Sequence, residues 1–166
     1  INVGPRVVYT DGSAKKAGAT KYAGWAVYDP TGAIADYGPL KGWEQTAARA
    51  EVRAIVAPAE ADGGPLEIYS DNKYAVNTAN EFIKGLDPKV NSRHDLWDRF
   101  RLVSHRVARA RWIKAHMTPD EARKRGFDEE HRLGNEEADR LAGLGSDAHG
   151  YTKGQIHEAD RKLGMV

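Results

Sequence analysis

Residues 7–16 read VVYTDGSAKK, an apolar and largely β-branched run that breaks at Asp11 into glycine, serine and two lysines. Valine, tyrosine and threonine suit a pleated, buried surface, so the stretch predicts a strand over Arg6–Thr10 with a carboxylate delivered at its tip. Further on, Leu66–Ser70 (LEIYS) predicts another short strand, and Asp71 follows it directly. In open α/β sheets, ligands bind beyond the carboxyl ends of the strands. If these two strands are parallel neighbours, about 4.8 Å apart, both aspartates open onto one mouth.

Working outward, Tyr22–Tyr28 and Ala33–Tyr37 read as strands joined by the turn DPTG, which makes an antiparallel meander with the first. The alanine-rich TAARAEVRAIVAPAEA predicts a helix from about Thr46, kinked or ended by Pro58. Helices follow over about Lys73–Lys84 and His94–Ala108, the second with an apolar stripe of Leu96, Trp97, Phe100, Val103 and Val107. ARWIK reads as a fifth strand, and Thr118–Glu121 is a capping box opening a short helix that ends near Gly126. Asn135 is expected to cap a last helix, EEADRLAGL. The order predicts an α/β fold: a five-stranded mixed sheet, three strands antiparallel and two parallel, with helices on both faces. The domain is expected over residues 1–148, with 149–166 a tail or linker.

The 166 residues suit one domain, and 40% apolar with 30% charged residues is the balance of a soluble globular chain. No apolar run approaches the roughly 20 residues of a membrane helix. The opening INVGPR has no secretory pattern, so an intracellular place, cytoplasmic or nuclear, is expected. It also lacks methionine, as a domain cut from a longer protein would. Without cysteine, disulfides and thiolate metal sites are excluded, which leaves oxygen and imidazole ligands. Residues 99–114, RFRLVSHRVARARWIK, hold six basic residues and no acid, either a solvated helix face or a contact for a polyanion.

Two more acids stand among small apolar residues: Glu51 in ARAEVRAI and Asp139 between Ala138 and Leu141-Ala142. Each alone has an ordinary explanation as a cap or an exposed helix position. Gathered together, they would repel by about 4 kcal/mol per pair at about 4 Å near a surface, and would need protons or cations to hold them. Oxygen ligands favour a hard ion such as Mg²⁺. Two such ions suit phosphoryl displacement.

YTDGS, TAARAEVRA, YSDNKYAV, WIKAH and GNEEADRLA occur in the order and approximate spacing of type 1 ribonuclease H, and the chain resembles that family from Arg6 to about Ser146. The resemblance implies hydrolysis of the RNA strand of RNA–DNA hybrids with two divalent ions, Mg²⁺ or Mn²⁺, leaving a 3′-hydroxyl and a 5′-phosphate. Residue by residue, it implies metal-binding acids at Asp11, Glu51, Asp71 and Asp139, and a histidine near the scissile phosphate at His116. Glu136 and Glu137 are set aside as first-turn acids of the last helix. Gly12, Ser13, Thr46, Arg49 and Asn72 match nucleic-acid contacts, with Gly12 expected to let the hybrid backbone pass close.

Three departures qualify the match. Ala47 and Ala48 stand where bacterial members have asparagines, and only GLDPKVNSR replaces their basic protrusion. The shortened form is similar to ribonuclease H domains of retroviruses and retrotransposons, which implies an attached reverse transcriptase as a partner. The third departure is Met117–Leu133, a long stretch with Arg123, Lys124, Arg125, His131 and Arg132. It is either a replacement contact for the hybrid or a solvated insertion, and His131 competes there with His116 for the catalytic role. The alternatives to an active hybrid nuclease are an inactive nucleic-acid-binding member of the same fold and another nuclease or transposase of the superfamily. A small-molecule phosphatase is the weakest, for want of a nucleophile loop.

Overall fold

Strand β1 does not stop at Asp11 but runs over Arg6–Ala17 in the computed structural model, which describes residues 4–32, 34–61, 64–150 and 161. After it come β2 (Thr20–Asp29), β3 (Ile34–Pro39), α1 (Ala47–Glu60), β4 (Leu66–Ser70) and α2 (Lys73–Ile83). Then follow α3 (His94–Val103), a 3₁₀ turn at Ser104–Arg106, β5 (Val107–Trp112), α4 (Pro119–Arg125) and α5 (Glu129–Asp147). The sheet order is β3-β2-β1-β4-β5. β1–β2 and β2–β3 are antiparallel, while β1–β4 and β4–β5 are parallel. The expected five-stranded mixed sheet is therefore the one observed, with strands one and four side by side.

Alternation along β1 sends Val8 to one face and Tyr9 to the other. Val8 joins the larger core with Val52, Ile55 and Val56 of α1, Val76 and Phe82 of α2, and Leu96, Trp97 and Phe100 of α3. Tyr9 joins Tyr69, Ile113, Met117, Ala122 and Ala138 beneath α4 and α5. The helices thus cover both faces.

Glycine brings the helices close at two points that matter for the mouth. A Cβ on Gly12 would stand 2.3 Å from the backbone nitrogen of Glu51 and 2.8 Å from the Ala50 Cβ, so α1 lies directly on β1. A Cβ on Gly134 would stand 2.4 Å from the Tyr9 ring, so α5 lies as tightly on the opposite face.

Several expected boundaries move. α1 continues through Pro58 to Glu60, although the proline ring gives up the bond that an N–H would make to the Ala54 carbonyl one turn earlier. The third helix ends at Val103, not Ala108, since Val107 is already paired with Leu66. α5 begins at Glu129 with Asp128 as its cap, and Asn135 lies inside it, 5% exposed. Glu136 and Glu137 are therefore mid-helix residues, paired with Arg132 and Arg140, and the first-turn explanation for them fails. The expected strand start at Ala33 and nearly all of the expected tail fall outside the described residues. His149, read as the start of that tail, donates from Nε2 to the Ala23 carbonyl, 2.8 Å away.

Candidate active site

Asp11 reaches the mouth because its neighbour strand stops, not because its own does. β1 pairs with β4 only as far as Tyr9↔Tyr69, while its pairing with β2 continues to Ala17↔Thr20. Beyond Tyr9 one edge of β1 is free, and Asp11 stands there, 3% exposed, its Oδ1 accepting from the Gly12 N–H at 2.9 Å. Asp71 lies one residue past β4, with the Trp112 indole donating to its carbonyl at 3.2 Å. Both strands carry Tyr-x-Asp, and pairing Tyr9 with Tyr69 puts the two aspartates level.

Glu51 comes from the second turn of α1, whose start Thr46 caps by accepting from the Arg49 N–H at 3.2 Å. Asn72 holds it from the side: Nδ2 donates to Glu51 Oε2 at 2.5 Å, while Oδ1 caps α2 by accepting from the Ala75 N–H at 3.0 Å. One carboxylate oxygen each from Asp11, Glu51 and Asp71 lies within 4.8 Å of the others. Among the described residues, no other three acids or histidines converge in this way.

The electrostatics follow from crowding. Burial first, then the charge of Asp71 and the hydrogen bond and charge of Asp139, push the Asp11 carboxyl far above the usual aspartate range. Burial also pushes Glu51 up, to about 7, against the hydrogen bond from Asn72. Asp71 is raised by burial and by the charge of Asp139, and is drawn back by Glu51, His116 and Asp11. Asp139, exposed on α5, and His116, exposed after β5, are near enough to act on Asp11 and Asp71, but the expected fourth acid, Asp139, is not among those whose oxygens converge within 4.8 Å. His116 takes φ 55, the left-handed region that side chains other than glycine rarely occupy. Such a backbone outlier at a rim of acids is the kind found at working sites. Carboxylates whose charge is this disfavoured, with oxygen donors a few ångströms apart, fit a hard divalent cation.

The other expected contacts divide. Asn72 touches the acid cluster, but Arg49 turns away into a two-toothed ion pair with Asp95, at 3.0 and 2.6 Å. Thr46 is occupied with its cap and with Glu44, and the Ser13 carbonyl accepts from the Ser146 hydroxyl at 3.2 Å. What the missing side chain of Gly12 admits is helix α1.

His131 is away from this rim, bonded through Nδ1 to the Tyr9 hydroxyl at 2.6 Å and stacked on Tyr69 at 4.5 Å. Met117–Leu133 is not a loop but α4 and the first turn of α5, and its Arg123, Arg125 and Arg132 pair with Asp120, Glu121 and Glu129. The basic stretch 99–114 is similarly matched: Arg99 to Glu60, Arg109 and Arg111 to Glu67, Lys114 to Glu121. It spans α3, the turn and β5, so it is not one helix face. Sequence reading missed the roles of Tyr9, Tyr69 and Gly12, although the repeated Tyr-x-Asp was a visible signal for matched register.

This sheet order with carboxylates gathered at one mouth defines an α/β domain with a set of oxygen donors able to hold a metal ion. The chain belongs to the ribonuclease H family, whose model matches residues 5–147. It is 32% identical over 155 residues to a ribonuclease H of Schizosaccharomyces pombe (strain 972 / ATCC 24843), covering 85% of this chain and 53% of that protein. The chain thus spans about half the length of that curated relative.

Among solved structures it resembles the PFV RNase H domain, with TM-score 0.61 and 23% identity over 86% of this chain and 94% of that one. It also resembles the Prototype Foamy Virus protease-reverse transcriptase, with TM-score 0.58 and 24% identity over 86% of this chain and 21% of that one. The foamy viral protease-reverse transcriptase in complex with an RNA/DNA hybrid gives TM-score 0.57 and 21% identity over 84% of this chain and 20% of that one. At these identities the structures speak for the fold. No described helix is long and apolar enough to cross a membrane.

Proposed function

We propose that the chain hydrolyses the RNA strand of RNA–DNA hybrids, leaving a 3′-hydroxyl and a 5′-phosphate. The observation that carries this reading is the convergence of Asp11, Glu51 and Asp71 within 4.8 Å in a ribonuclease H domain. In this reading those three acids and Asp139 hold two divalent cations, Mg²⁺ or Mn²⁺. Cations bound there supply charge stabilisation to the attacking and leaving oxygens of a phosphoryl displacement.

The protein's own residues do the rest. Asn72 orients Glu51 through its 2.5 Å bond. Gly12 lets α1 carry Glu51 up to Asp11. His116, at the exposed rim beside Asp71, exchanges a proton near the scissile phosphate. His131 has a structural part, because its ring is already engaged by Tyr9 and Tyr69. Gly12, Ser13, Thr46, Arg49 and Asn72 lie along the hybrid path in this reading, Arg49 only if it exchanges Asp95 for a phosphate. The shortened segment between α2 and α3 supports an attached reverse transcriptase that adds substrate affinity.

Cleavage of an end-labelled hybrid with Mg²⁺ and with chelator tests the reading. Cutting should require the metal, and Asp71→Asn should abolish it while hybrid binding survives; cutting in chelator would refute the mechanism. His116→Ala should slow turnover by about a hundredfold with the fold intact. His131→Ala should lower the melting temperature instead. A reversal of those two outcomes would move the proton-transfer role to His131.

A further inference from the structure

Trp43 is 94% exposed, the most exposed large apolar side chain among the described residues. An isolated exposed leucine needs no explanation. A whole indole, which would bury about 150–250 Å² in contact, is a different matter when its support is rigid. Gln45 fastens the loop by accepting from the Ala23 N–H at 2.8 Å and donating to the carbonyls of Leu40 and Gly42 at 2.9 and 2.8 Å. Gly42 takes φ 101, a turn that suits glycine.

Beside the indole lies an open trough of about 540 Å³, lined also by Lys21, Lys41, Pro39 and His149. Lys21 and Lys41 are exposed, and neither forms an ion pair among the described residues. The neighbouring acid, Glu44, is held by Arg93 at 3.0 Å. Lysines without an ion pair occur elsewhere on the described surface; what distinguishes Lys21 and Lys41 is that both line one trough with a bare tryptophan.

A cationic groove with an aromatic wall is the chemistry that takes single-stranded nucleic acid, with phosphates on the cations and a base stacked on the ring. Bases inside a duplex have no free face, so the wall suits an unpaired nucleotide. The place is close to the acids. Three extended residues separate Trp43 from Thr46, and five helical ones separate Thr46 from Glu51, so the backbone span is at most about 18 Å. That is about five nucleotide steps along a strand. We propose that Trp43, Lys21 and Lys41 bind unpaired nucleotides of a single-stranded extension running out of a hybrid seated at the metal centre. This rests on the hybrid reading above.

The test compares cleavage in Mg²⁺ of a blunt hybrid with that of the same hybrid carrying an unpaired tail of about six nucleotides, at either end. For the unaltered protein the tail should lower KM by about tenfold, the scale of one stacked base. Trp43→Ala should bring tailed and blunt KM together, Trp43→Phe should keep most of the difference, and Lys21→Gln with Lys41→Gln should shrink it and weaken its salt dependence. Equal KM for the two substrates, or a difference that survives Trp43→Ala, overturns the site. If neither hybrid is cut, the hybrid reading fails separately. Fluorescence anisotropy of the tail strand alone then decides the trough: binding lost in Trp43→Ala upholds it, and unchanged binding removes it.

Discussion

Asp11, Glu51 and Asp71 crowd within 4.8 Å at the sheet mouth, and the strongest charged neighbour of each is another acid. On the helical surfaces the arrangement is the opposite. Arg49 meets Asp95, Arg99 meets Glu60, and Arg132 meets both Glu129 and Glu136. The surface pairs are self-contained: each ion has its counter-ion, and exposed pairs contribute about 0–1 kcal/mol. The mouth is not self-contained, because burial and mutual repulsion both disfavour its charges. A fold that pairs these arginines with acids, yet leaves acids facing acids at one point, places its demand for an external cation there.

The largest effect expected from breaking this contrast is at Asp11. Asp11→Asn should cut hybrid hydrolysis by roughly a thousandfold, the rate equivalent of several kcal/mol of lost charge stabilisation. The same change should raise the melting temperature of the metal-free protein at neutral pH, since it removes a carboxyl that must take up a proton on folding.

The pH dependence follows with a definite sign. Glu51 is raised from 4.5 to about 7, so between those values the folded chain holds a proton that the unfolded chain has released. Stability of the metal-free protein should therefore fall as pH rises through that window. Mg²⁺ should restore it most at the alkaline end, and a melting temperature independent of pH and of Mg²⁺ would contradict the cation site.

A smaller effect is expected at Gly12. Gly12→Ala places a Cβ against the Glu51 backbone and should cost about 1–3 kcal/mol by overpacking. Activity should fall further than stability alone explains, because Glu51 moves with α1; denaturant melts alongside kcat separate the two. The smallest effect is on the paired surface. Arg99→Ala should change stability by less than about 1 kcal/mol and leave the pH profile as it was.

Much of the candidate site was legible beforehand because its parts are local. Asp11 and Asp71 each follow an apolar run, and the alanine-rich setting marked Glu51 as a packing-side acid. The reason for Gly12 was not legible: a glycine after an aspartate looks like a turn, and only the approach of α1 shows what its missing side chain accommodates. The fate of the basic residues was equally hidden. Residues 99–114 contain no acid, and several of their partners, Glu60, Glu67 and Glu121, lie outside that stretch. Asn135 misled because a residue suited to capping is also suited to burial inside a longer helix.

By itself the sequence determined the succession of strands and helices, the α/β class and the set of acids, since apolar periodicity and turn chemistry act over a few residues. Tertiary structure alone decided that β4 stops beside Tyr9 and leaves an edge for Asp11, and that α1 presses on Gly12 to bring Glu51 across. Strand register and the closeness of helix packing depend on contacts between distant segments, and it is those contacts that turn scattered carboxylates into one site.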